Sequence, residues 1–136
     1  MSSRKITFGV LDDFLEAKTL LFVGDHPQFG ALAQNLLALT PSAPIDVELG
    51  LDVQPANSHL RLVLAAGKSD SSTVLEERDH YRWEIGPDAR ATIAEQLRVL
   101  AESTTAGHQY LETGGEIQVI ASVGEYPDEF LQNESN

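Results

Sequence analysis

The residues best suited to chemistry or to contact lie in Gly107-His108-Gln109-Tyr110-Leu111-Glu112. Successive strand side chains point to opposite faces, so His108, Tyr110 and Glu112 share one: an imidazole, a phenol and a carboxylate. On a strand the Cα atoms of His108 and Glu112 stand about 13 Å apart, too far for the two to share a metal directly. What remains is a polar contact surface, or His108 acting as a general base beside a carboxylate from another strand. The plainer use is structural, with Tyr110 packed at a sheet edge, His108 closing a loop and Glu112 in water. The other histidines, His26, His59 and His80, make no ligand-spaced pair on one helix. Asp12 and Asp13 are adjacent acids that could pair as acid and base or hold a divalent cation, although a solvated turn accounts for them as well. Asp25-His26 is explained by helix capping. Trp83, the single tryptophan, sits on an alternating strand and reads as a core anchor.

Several chemistries lack their motifs. There is no Gly-rich phosphate loop with Lys and Ser/Thr, no G-x-G-x-x-G after a strand, no G-x-S-x-G elbow and no H-E-x-x-H. With no cysteine there is no disulfide framework, no thiolate zinc site and no cysteine nucleophile. The expectation is therefore no cofactor, no metal and no catalytic residue set.

Charge points to the class of partner. The 9 Lys and Arg against 21 Asp and Glu leave a net charge of −12, a field that repels nucleic-acid backbones and anionic membranes and attracts basic proteins. After Arg98 no Lys or Arg follows, while Glu102, Glu112, Glu116, Glu125, Asp128, Glu129 and Glu134 supply acids. A basic protein partner is expected, with no direct nucleic-acid binding and no membrane. Behind Met1-Ser2-Ser3-Arg4-Lys5 the run is broken by Asp12, Asp13 and Glu16, so no signal peptide or spanning helix is read; that and the absent cysteines suggest a cytoplasmic location. The sequon at Asn133-Glu134-Ser135 is then a chance match.

These side chains need elements to carry them. Ile6, Phe8 and Val10 alternate with Thr7 and Gly9 as a strand, Leu11 to Phe14 reads as a turn, and Thr19 to Val23 is a second strand forming a hairpin with the first. Asp25-His26-Pro27 opens a helix whose Leu32, Leu36 and Leu39 form one stripe, ended by Thr40-Pro41. Ile45, Val47, Leu49, Leu51 and Val53 alternate with polar residues as one strand with an acidic outer face. A turn at Pro55 to Ser58, a strand through Leu60, Leu62 and Leu64, a polar loop from Gly67 to Ser72, and one or two strands from Thr73 to Ile85 follow. Gly86-Pro87-Asp88 opens a second helix to Glu102, and Gly114-Gly115 separates the last two strands.

Ile93, Leu97 and Leu100 lie 61 positions after Leu32, Leu36 and Leu39, so the halves read as two strand-helix-strand-strand units. The fold expected is α+β: one largely antiparallel sheet with both helices packed on one face. Residues 1–127 form a single domain and residues 128–136 an acidic, flexible tail.

The ending Gly107-His108-Gln109-Tyr110-Leu111-Glu112, Glu116-Ile117-Gln118-Val119-Ile120-Ala121-Ser122 and Gly124-Glu125-Tyr126-Pro127 resembles the C-terminal third of small acidic bacterial proteins, some grouped with the immunity proteins of polymorphic toxin systems. The resemblance implies a protein that neutralises a cognate toxin by occluding its active surface. The contact set expected is His108, Tyr110, Glu112, Glu116, Glu125 and Tyr126. The alternatives are a small enzyme using His108 with a carboxylate, and a homodimer joined through a sheet edge.

Overall fold

The computed structural model describes residues 6–14, 17–47, 51, 53–57, 59–68, 70–78, 80–126 and 131. Strands β1 (Ile6–Phe14) and β2 (Ala17–Gly24) form an antiparallel hairpin, followed by α1 (His26–Leu37), the short β3 (Ile45–Asp46) and β4 (Val53–Pro55), and β5 (Arg61–Ala66). The second half repeats the plan: hairpin β6 (Ser72–Glu77) and β7 (His80–Ile85), then α2 (Pro87–Glu102), β8 (Gly107–Leu111) and β9 (Gln118–Val123).

The fold is α+β, with two mixed sheets in place of the single, largely antiparallel one expected. The orders are β4-β1-β2-β9-β8 and β3-β5-β7-β6. Most of their mixed character comes from an exchange of strands between the halves. After each helix the chain crosses to the other half's hairpin, so β9 runs parallel to β2 and β5 parallel to β7, while the hairpins stay antiparallel. Each unit contains strand, strand, helix, strand, strand, the first with the additional short β4 paired parallel to β1 of its own half, and neither sheet is complete without strands from both.

Both helical stripes point into one core. Leu32, Leu36, Leu39, Ile93, Leu97 and Leu100 are all buried there with Phe8, Leu20 and Phe22 of one sheet and Leu62, Leu64, Trp83 and Ile85 of the other. Each such side chain contributes roughly 1.5–3 kcal/mol by leaving water. Phe22 and Trp83, 61 positions apart, stack with ring centroids 6.0 Å apart, so the repeat folds its equivalent aromatics against one another at the centre.

Local chemistry sets most boundaries. Gln28 Oε1 accepts the Asp25 N–H at 2.8 Å, one half of a capping box, and proline occupies the first turn of both helices. Two expectations are corrected. Leu11 to Phe14 continues β1 and does not turn, its register to β2 shifting between Leu11 and Phe14. Ile45 to Val53 is not one strand: β3 stops at Asp46, and the Leu51 N–H donates to the Val47 carbonyl at 3.1 Å, a helical turn. Glu48, Leu49, Gly50 and Asp52, the Asp13 carboxylate and most of the acidic stretch 128–136 lie outside the described residues. Leu131 of that stretch is 1% exposed.

Among the described residues the two sheets are also joined outside the core. The Gly114 N–H donates to the Ser72 carbonyl at 2.8 Å, joining the end of β8 to the start of β6. Elsewhere the Lys18 ammonium of β2 bonds the Glu76 carboxylate of β6, which also accepts the Tyr81 hydroxyl at 3.0 Å.

Candidate functional site

β8 is an edge strand, and its pairing with β9 sets His108 opposite Ser122 and Tyr110 opposite Ile120. Both side chains stand on the outer face of the five-stranded sheet, exposed, with Tyr110 at 47%. Their rings meet edge to face at 5.5 Å and 70°.

Beyond β9 the chain turns sharply at Gly124, whose φ of +72° is left-handed and whose added Cβ would lie 3.2 Å from the Ala106 Cβ. That turn brings Glu125 back over the strand it has just left. Its carboxylate lies 2.9 Å and 3.1 Å, by its two oxygens, from His108 Nδ1, and Oε1 accepts the fully buried Ser122 hydroxyl at 3.0 Å. An ionised carboxylate only accepts, so Nδ1 carries the proton in this pair. Tyr126 continues the patch, meeting Phe14 edge to face at 6.0 Å. Burial, then the neighbouring Glu125 and Tyr110, push its phenol above the ordinary value.

Four of the six expected contact residues, His108, Tyr110, Glu125 and Tyr126, thus share one surface. Glu112 belongs to the junction between the sheets. Its N–H donates to Gln96 Oε1 at 3.0 Å, its carbonyl accepts the Ser72 hydroxyl, and its Oε2 is buried with no hydrogen-bond partner among the described residues. Glu116 is exposed in the turn between β8 and β9. Of the other candidates, His26 Nδ1 contacts the Leu100 carbonyl, and Asp12 makes a 3.8 Å ion pair with Lys18.

Three contributors were not anticipated. Ser122 fixes Glu125, and its spacing of three residues before an acid was the available signal. Phe14 backs Tyr126 from a stretch read as a turn. Gln96 of α2 donates to the Tyr110 carbonyl at 2.8 Å while accepting the Glu112 N–H, standing in for a neighbouring strand along part of the β8 edge.

Among the described residues, hollows of about 320, 400 and 470 Å³ lie on the four-stranded sheet and its hairpin turn, and His108, Tyr110 and Glu125 line none of these. Among the described residues no group of three His, Asp or Glu side chains could hold a metal ion, and no helix is long and apolar enough to cross a membrane. Comparison with protein-family models, with curated proteins and with solved structures found no match. The class defined here is structural: an α+β domain of two interleaved halves carrying an aromatic and acidic patch on one sheet edge.

Proposed function

We propose that the chain is a non-enzymatic protein-binding domain that engages a basic partner through the outer face of its five-stranded sheet, and that it acts as an immunity-type inhibitor neutralising a toxin. The observation that carries this reading is the patch on β8 and the turn after β9. Tyr110 is exposed and braced by His108, and Glu125 is held by His108 and Ser122, so both are oriented before a partner arrives. Ordered aromatics flanked by acids suit contact with a cationic surface, where tyrosine contributes area and the net charge of −12 speeds encounter.

A second reading draws on the same pair. His108 and Glu125 at 2.9 Å are a base and its orienting acid, the geometry a small hydrolytic enzyme would use. The buried Ser122 hydroxyl donates to that same carboxylate, which leaves it pointed away from a nucleophile's role. The deciding experiment measures association of the purified chain with a candidate basic toxin across salt concentrations, beside a variant carrying Glu116→Lys and Glu125→Gln, which removes charge from the exposed face without touching the buried Glu112 carboxylate. The binding reading expects slower association in the variant and in high salt. Equal rates throughout, or hydrolysis of a panel substrate lost in His108→Ala, would sink it.

A further inference from the structure

The open side of the β8 edge can be read from the hydrogen bonds the strand already makes. Along an antiparallel strand the N–H and C=O of one residue point the same way, and those of the next residue point the other. Gln96 of α2 takes the Tyr110 carbonyl at 2.8 Å and the Glu112 N–H at 3.0 Å, so the even-numbered residues of β8 face away from β9. The cover ends there. The N–H and C=O of His108 and the N–H of Tyr110 lie on the same side and have no backbone partner among the described residues. Two donors with an acceptor between them are thus open in a row, a pattern that an extended backbone matches.

The two walls of this edge carry different side chains. On the outer face stand the exposed Tyr110 and the Glu125 carboxylate held against His108. On the inner face runs α2, where Gln96, Val99 and Ser103 follow at i, i+3 and i+7 along the flank towards β8. The other flank is closed by α1, since a Cβ on Gly30 would stand 3.5 Å from the Ala101 Cβ. Val99 is 50% exposed, and Glu102, the next turn on, is exposed as well. Each wall therefore sets an apolar side chain beside an acid. No Lys or Arg follows Arg98, so a second copy of β8 would bring acid against acid, whereas a basic segment meets Glu102 on one wall and Glu125 on the other.

We propose that the open edge of β8 receives an extended, basic segment of a protein partner as a sixth strand, with aliphatic side chains turned towards Val99 and Lys or Arg side chains turned towards Glu125. Pairing sets the alternation. In a segment running antiparallel, the residue opposite His108 exchanges both main-chain bonds with it and shares its outer face, so that residue is basic, while its neighbours point to α2 and are aliphatic. The inference rests on the binding role proposed above, and it gives the partner a conformation and a residue pattern.

The test uses the full chain and a short labelled peptide of alternating lysine and valine, titrated at low salt and followed by fluorescence anisotropy. N-methylation of the lysines keeps the charge but removes the N–H groups that face β8, and it should weaken binding about tenfold. N-methylation of the valines, whose N–H groups face away, should leave binding nearly unchanged. Val99→Ser, at an exposed position, should weaken it several-fold. The unmodified chain provides a readout independent of any variant's folding, since saturation with the peptide should slow hydrogen exchange of the His108 and Tyr110 amides about tenfold. No difference between the two N-methylated peptides, the reverse order, or binding that leaves both amides exchanging as before would mean adsorption by charge or another register. Any of these, or no binding at all, overturns the inference. A candidate toxin separates the two readings: one that binds without slowing these amides keeps the functional reading and removes strand addition. A peptide that adds to β8 beside a toxin that does not bind keeps the edge site and removes the toxin.

Discussion

His26 Nδ1 lies 2.8 Å from the carbonyl oxygen of Leu100, so the first residue of α1 caps the last turn of α2. The relationship is returned across the repeat: Arg90, in the first turn of α2, donates to the Leu39 carbonyl at 3.4 Å, and Leu39 and Leu100 are 61 positions apart. Neither helix has a basic residue in its own last turn, so each end finds its donor on the other helix. His26→Ala should cost about 1 kcal/mol, the usual net value of one such bond, and Arg90→Ala less because its bond is long. Thermal denaturation should show a fall of about 3–4 °C for His26→Ala. A smaller loss there than in Arg90→Ala would remove the capping account.

The core ranks above the caps. Leu36 and Leu97 are fully buried at equivalent places in the two stripes, and truncation of either to alanine should destabilise by about 2–5 kcal/mol. Asp25→Ala, at the α1 N-cap, should cost about 1 kcal/mol. Urea unfolding of the three variants gives the order directly, and a cap variant weaker than either leucine variant would contradict it.

The bridge between the sheets makes stability fall at both ends of the pH scale. The hydrogen bond from the Lys18 ammonium holds the Glu76 carboxyl below its ordinary 4.5 against the opposing effect of burial, with the Tyr81 hydroxyl assisting. A depressed acid stabilises the fold above its unfolded value, and that contribution is lost as pH falls from 4.5 through the folded value. Burial, then the bond to Glu76, push Tyr81 up to about 12. Its contribution is whole below the ordinary value of 10.0 and is lost as pH rises from there towards 12. Urea midpoints measured against pH should fall on both sides, and Glu76→Gln should flatten the acid limb.

How much of this was legible depends on where the signal resides. The second helix was read to both of its ends, Pro87 and Glu102, because a proline in the first turn and a continuous apolar stripe are local signals. The stretch from Ile45 to Val53 misled because Val47 and Leu51 stand four apart, a spacing that fits alternation and a helical turn equally. The exchange of strands between halves has no local mark, although the unbroken apolar run from Leu20 to Val23 is what a strand buried on both faces requires. At the candidate site, His108 and Tyr110 followed from strand alternation. The partner of His108 did not, since Glu125 is 17 residues away and arrives only through the turn at Gly124.

That difference in anchoring separates two acids that the sequence treats alike. Glu125 accepts hydrogen bonds from His108 and Ser122, whereas Glu116 is exposed in the turn between β8 and β9. If both face a basic partner, Glu116→Lys should slow association several-fold at low salt, leave dissociation nearly unchanged and leave the melting temperature alone, because an exposed charge contributes only about 0–1 kcal/mol to stability. Glu125→Lys should slow association too, and it should also lower the melting temperature by leaving the buried Ser122 hydroxyl without its acceptor and setting an ammonium beside His108. Glu125→Gln separates the two effects, since its amide oxygen still accepts from Ser122 while the charge is gone. Association rates across salt concentrations, measured beside thermal melts of the three variants, give the comparison. Loss of binding confined to Glu125→Lys, with Glu125→Gln and Glu116→Lys behaving as the unmodified chain, would mean that the turn's shape and not its charge makes the contact.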